Sequence, residues 1–111
     1  MQTQLSTRPE PSSTQKAFMS ELRQAGYREV ASRVDEIAAF SKSIDHKHGR
    51  YVLEVTLQDA LEVGALIVRI NVTGFYLDTN PTGSSKHSVM VHPDVAYLES
   101  VAKRCFESLI G

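Results

Sequence analysis

The side chains with the widest chemical reach in this 111-residue chain are its four histidines and its single cysteine. Asp45-His46-Lys47-His48 precedes a run that alternates like a strand, and His87 precedes a shorter one. In an antiparallel meander the start of the first strand, the end of the second and the start of the third share one edge. His46, His48, His87 and Asp78 would then be neighbours, a set that zinc can take. The spacing matches no zinc signature, and histidines in loops are more often solvated polar residues. No metal or other cofactor is therefore expected, and His46, His48 and His87 are kept only as the outside candidates.

The other chemistries fare worse. A nucleophilic Cys105 would need a base and a stabilised thiolate. It falls instead on an apolar helical stripe, where free cysteine packs as a small hydrophobe. No serine sits in Gly-x-Ser-x-Gly, and no glycine-rich phosphate loop occurs. Glu54 lies on the outward side of a strand pattern, without an identifiable acid or base partner. No catalytic residue is assigned, and the chain is read as a non-enzyme.

The elements that would position these residues follow from periodicity. Leu66, Val68, Ile70 and Val72 alternate with Ile67, Arg69, Asn71 and Thr73, the pattern of a half-buried strand over 65–73. Tyr51, Leu53, Val55 and Leu57 mark a second strand over 51–58, joined to the first as an antiparallel hairpin through a wide turn at 59–64. Gly74 suggests a bulge or bend. Residues 78–86 (Asp-Thr-Asn-Pro-Thr-Gly-Ser-Ser-Lys) read as a turn and loop, and 88–91 as a short optional third strand.

Helical stripes flank the sheet. Phe18, Leu22 and Ala25 predict a helix over 14–25, and Val30, Val34, Ile37 and Ala38 predict a second over 28–43. On one continuous helix these stripes would point in different directions. A break at Gly26 resolves the conflict, since glycine often follows a helix end; a single helix buried on two sides is the alternative. Val95, Leu98, Val101, Ala102, Cys105 and Leu109 predict a closing helix over 93–109. The expected fold is α+β: two N-terminal helices, an antiparallel sheet of two or three strands, and a C-terminal helix packed on one face. Residues 1–13 read as a polar, proline-bearing disordered tail, and 14–111 as a single domain.

Composition narrows the partner classes. Twelve Lys and Arg face thirteen Asp and Glu, for a net charge of −1. A dedicated nucleic-acid binder carries a basic excess, which is absent. A helix-turn-helix over the Gly26 break would have Arg28, Arg33, Lys42 and Lys47 available, but Glu29, Asp35 and Glu36 interrupt them. One cysteine excludes an internal disulfide and suits a reducing compartment. No apolar run is long enough for a bilayer span, and the N-terminus lacks an apolar signal core. A cytoplasmic, non-membrane protein is expected.

Recognition of another protein remains. The outward hairpin face mixes Val52, Thr56, Ile67, Arg69, Asn71 and Thr73, a composition compatible with an interface. Tyr27 and Phe40, off-phase with the main helical stripe, together with Ile67 and Arg69, are the candidate partner-binding residues. So small a sheet would also gain cover as a homodimer. The layout of a polar tail, helices, the hairpin of 51–58 and 65–73, and a closing helix resembles the small bacterial antiactivators of the QslA kind. That resemblance implies a dimeric protein that blocks a transcription factor's dimerisation through a helix or sheet surface. Direct nucleic-acid binding and small metal or ligand binding are the alternative functions.

Overall fold

The computed structural model describes residues 10–47, 49–59, 64–76 and 80–110. Helix α1 (Ser13–Gln24) opens on a capping box. The Gln15 amide N–H donates to Ser12 Oγ at 3.2 Å, and the Ser12 N–H donates to Gln15 Oε1 at 2.8 Å, so two backbone donors at the helix start are satisfied. Phe18, Met19 and Leu22 form the buried stripe. At the other end the Gly26 N–H donates to the Arg23 carbonyl and the Tyr27 N–H to the Leu22 carbonyl. Those bonds require a left-handed residue between them, and Gly26 supplies it with φ +93°. The helix ends where glycine predicts.

No second helix follows. The chain continues as β1 (Arg28–Val30) and β2 (Glu36–His46), which corrects the expectation of a helix over 28–43. Strand β2 pairs antiparallel with β3 (Gly49–Gln58), from Ala38 opposite Leu57 to His46 opposite Gly49. In that register Ala38, Phe40 and Ile44 fall on the same side as Leu57, Val55 and Tyr51. The helical stripe read from Val34 and Ile37 dissolves, because Val34 is 60% exposed in the β1–β2 connection while Ile37 is buried at a register shift. Alanine, glutamate and lysine are good helix formers, but local propensity is worth little per residue, and a long antiparallel partner outweighs it.

Strand β4 (Ile67–Tyr76) pairs antiparallel with β3, Tyr51 opposite Gly74 and Gln58 opposite Ile67. This is the hairpin that alternation predicts, and four of the residues in its connection lie outside the described set. Strand β5 (Asn80–Val91) then pairs with β4 from Tyr76 opposite Asn80 to Ile67 opposite Val91. The sheet has five strands in the order β1-β2-β3-β4-β5, not two or three. The segment expected to be loop is mostly strand from residue 80 onward, with Pro81 and Gly83 tolerated because β5 is an edge. A register shift between Thr73 and Phe75 places a bulge at Gly74.

Helix α2 (Val95–Ile110) is capped by Asp94, whose Oδ1 accepts the Tyr97 N–H at 2.6 Å. Both helices lie on one face of the sheet. Phe18 and Leu22 of α1 and Leu98, Ala102 and Phe106 of α2 join the inward row of β2 to β5 in one core. The tightest approach is at Gly74, where an added Cβ would lie 2.9 Å from two ring carbons of Phe106. That ring stacks on Tyr51 with centroids 4.9 Å apart. The fold is α+β as expected, with one N-terminal helix instead of two. Among the described residues, no helix is long and apolar enough to cross a membrane.

Candidate interaction surface

Alternation along each strand divides the sheet into a covered and an open face. On the open face the register aligns rows that cross all or most of the strands. One row runs Val89–Arg69–Thr56–Ala39–Val30, and the next runs His87–Asn71–Glu54–Ser41–Arg28. Ile67 sits between Val91 and Gln58 at one end, and Val52 lies between Thr73 and Ser43 towards the other. No described element packs over these residues, yet Val52, Ile67 and Phe75 are half-buried by their own neighbours.

The charges of this face are mostly tied down. Arg69 Nη2 lies 3.6 Å from Glu36 Oε2, and the buried Glu36 also accepts the Arg33 N–H at 2.7 Å. The Asn71 amide donates to Glu54 at 3.1 Å, and the Arg50 guanidinium rests over the Phe75 ring at 4.8 Å. Gln58 Nε2 and Asn71 Oδ1, both on this face, are buried without a hydrogen-bond partner among the protein groups described. Such groups are usually completed by water or by a bound partner. The mixture is apolar, amide and balanced charge, unlike the basic track that a phosphate backbone requires.

A second feature lies on the helical side. Beyond Ser41, β2 has no strand on its outer edge among the described residues, and two shallow clefts of about 480 and 440 Å³ separate it from α2. Ile44, Asp45, Tyr51 and Lys103 border both. At the upper end Tyr27 donates its hydroxyl to Glu99 Oε2 at 2.6 Å. Lys42 Nζ donates to the Ala25 carbonyl at 2.8 Å and reaches Glu99 at 3.4 Å. Burial, and then the Glu99 carboxylate, raises the Tyr27 pKa far above the usual phenol value; burial raises that of Tyr51 as well, followed by Glu99 and Glu107. The Tyr27 phenol is thus held protonated as a hydrogen donor to Glu99.

The residues singled out by sequence divide between the two faces. Tyr27 is 4% exposed and Phe40 is 0% exposed, so both hold helices to the sheet and neither offers a surface to a partner. Ile67 and Arg69 stand on the open face, where alternation assigns them. His46 lies on the helical side, 3.1 Å from Glu107 and edge-on to Phe106. His87 is on the open face beside Asn71, so these two histidines do not converge. His48 and Asp78 lie outside the described residues. Among the described residues, no group of three metal-binding side chains converges. Cys105 is half-buried against the core.

Glu54 has neighbours that sequence reading missed, Asn71 and His87 in the same row. That row could be found only by knowing the register. Val89 and Val91, 63% and 65% exposed on β5, fall in the short third strand that 88–91 predicts, but their place on the open face emerges only from the pairing of β5 with β4. The sequence matches no protein-family model, and no curated protein or solved structure is significantly similar to it.

Proposed function

We propose that this protein is a non-enzymatic regulator that binds another protein through the open face of its sheet, with a transcription factor as the target that its layout suggests. One observation carries the reading: both helices cover the same face, leaving Val52, Ile67 and Val89 among amides and paired charges on the other. Interfaces of regulatory proteins have this make-up, apolar side chains at the centre and satisfied polar groups around them. Arg69, positioned by Glu36, adds the residue type most enriched where interfaces concentrate their energy. A cytoplasmic location accompanies the proposal, resting on the single cysteine.

The test is affinity capture with wild-type protein and with Ile67→Asp, read by mass spectrometry and followed by binding measurements on the purified partner. Ile67 is half-exposed on the open face, so the variant should fold normally and lose the partner at least tenfold. An equal yield of partner from both proteins would refute the placement. A gel shift with nonspecific DNA at low salt would overturn the reading in favour of a nucleic-acid binder.

A further inference from the structure

We infer that a second copy of this chain pairs with the first along the free edge of β5, joining two five-stranded sheets into one about a two-fold axis at Val89. The two edges of the sheet are unlike. On one side β1 is three residues long, the short form by which proteins blunt an edge, and the stretch of β2 left bare beyond it carries the charged Lys42 and Asp45. β5 is twelve residues long and has no strand beyond it among the described residues. Its half nearest α2 is regular, with unbroken register from Thr73 opposite Ser85 to Ile67 opposite Val91.

The usual guards against strand pairing are missing from that half. Charged side chains, lysine above all, protect an edge when they project into solvent. The one permanent charge here, Lys86, donates to Ser108 of α2 at 2.8 Å and is held to the helix. His87, Val89 and Val91 are exposed on the open face; the two valines are the large apolar side chains among them, both β-branched, and His87 carries no permanent charge. The bulge at Gly74 lies at the far end of the strand pair, and His92, with φ +52°, turns the chain away only after Val91.

The occupant follows from self-complementarity. A two-fold axis normal to a sheet keeps each residue on its own face, so opposed residues must have numbers of equal parity. Centring on Val89 sets Val89 against Val89, Met90 against Ser88 and Val91 against His87. No two permanent like charges oppose each other, and a valine pair is a favourable cross-strand contact. Centring on Ser88 instead would set both exposed valines against polar residues, and centring on Met90, which pairs Val89 with Val91, leaves only residues 89–91 in regular pairing before the left-handed His92 turns the chain away, against 87–91 for the Val89 centre.

The helices accept this arrangement. α2 lies over β4 and β5, and adding a strand spacing of about 4.8 Å between copies brings the two α2 axes to about 10–14 Å apart. Helices pack at about 8–10 Å, with larger side chains filling wider gaps. Ser108 faces β5, and helical periodicity puts Tyr97 and Val101 on the same side of α2. Tyr97, 52% exposed, is the large side chain available to fill that space.

Disulfide trapping tests both pairing and register. Directly opposed residues in an antiparallel pair have Cα atoms about 4.5–5.5 Å apart, inside the range a disulfide spans. In a Cys105→Ser background, Val89→Cys should form a covalent dimer within minutes of mild oxidation. His87→Cys alone should not, since its twin lies four residues away along the partner strand, about 13 Å. Sedimentation should give twice the 12.3 kDa chain mass, and Val89→Lys, which sets two lysines face to face, should give the single-chain mass with a melt that stays cooperative but, unlike that of the wild type, no longer depends on protein concentration. A wild-type monomer at high micromolar concentration, or trapping of His87→Cys as fast as Val89→Cys, overturns the proposal. Partner capture lost in Ile67→Asp is read separately, so failure of self-pairing leaves the open-face reading standing, and the converse also holds.

Discussion

Gly74→Ala is the substitution whose outcome depends most directly on the packing described. The new methyl carbon would lie 2.9 Å from both Cδ1 and Cε1 of Phe106. Carbon atoms in favourable contact stand about 3.5–4.0 Å apart, so the ring would have to retreat by at least roughly 0.6 Å. It has little room. Phe106 is fully buried, stacked on Tyr51 and met edge-on by His46. Overpacking of this kind costs about 1–3 kcal/mol. An opposing effect exists: Gly74 does not have a left-handed φ, so alanine fits the backbone and stabilises by about 0.4–1 kcal/mol through the unfolded chain. The clash wins, for a net loss of about 0.5–2 kcal/mol, or a fall in Tm of about 3–10 °C for a domain this size. Thermal and urea melts measure it. Phe106→Leu should remove the clash, so the double variant should be more stable than the sum of the single changes by at least about 0.5 kcal/mol. A Gly74→Ala protein as stable as wild type, or strictly additive effects, would refute the claim that Phe106 rests on the bare glycine.

Three further outcomes are expected. Ser12→Ala removes the Oγ that accepts the Gln15 N–H and should cost about 1 kcal/mol in urea denaturation, with ellipticity lost first from the helix signal. Glu36→Ala strips a buried carboxylate from the Arg33 N–H and from Arg69, and should cost about 1–3 kcal/mol by the same measurement. Tyr27→Phe reports on alkaline stability. The folded phenol pKa is raised by burial and Glu99, so an unfolded chain loses this proton near pH 10 while the folded one keeps it. The contribution is therefore intact below about pH 10 and falls away as pH rises above it. Denaturation at about pH 9 and 11 should show a shallower decline for Tyr27→Phe than for wild type; equal slopes would count against the buried phenol.

The part of the fold that sequence reveals is the part with a clean period. Strands β3 and β4 alternate with apolar side chains inward, Tyr51, Leu53, Val55 and Leu57 on one and the β-branched Val68, Ile70 and Val72 on the other, and the Gly26 break and the closing helix carry ordinary end signals. β2 was hidden by its inward row. Lys42 stands between Phe40 and Ile44 where an apolar side chain would complete the alternation. Its stem lies beside the Tyr27 ring, with the ammonium 5.1 Å from the ring centre, and its charge reaches Glu99 and the Ala25 carbonyl. A snorkelling lysine can serve an inward position, but only when the helix that receives it is already known. β5 was hidden for a different reason. Its first half is built from Asn, Pro, Thr, Gly and Ser, residues that read as a turn and that only an edge strand with a long partner can absorb.

Those two errors decide which candidate residues reach a surface. A residue assigned to an element inherits that element's period, and changing 3.6 to 2 can exchange its inside for its outside. In the frame of a helix over 28–43, Phe40 falls off the apolar stripe and looks free for a partner. In the frame of β2 it stands opposite Val55 and is fully buried. Tyr27 follows the same logic, since the strand beginning just after it folds back and closes the ring against Glu99 of α2. Ile67 and Arg69 stay outward because their strand has the right period. The same rule, extended across the register to β5, brings out Val89 and Val91 and makes that edge the part of the molecule most in want of a partner.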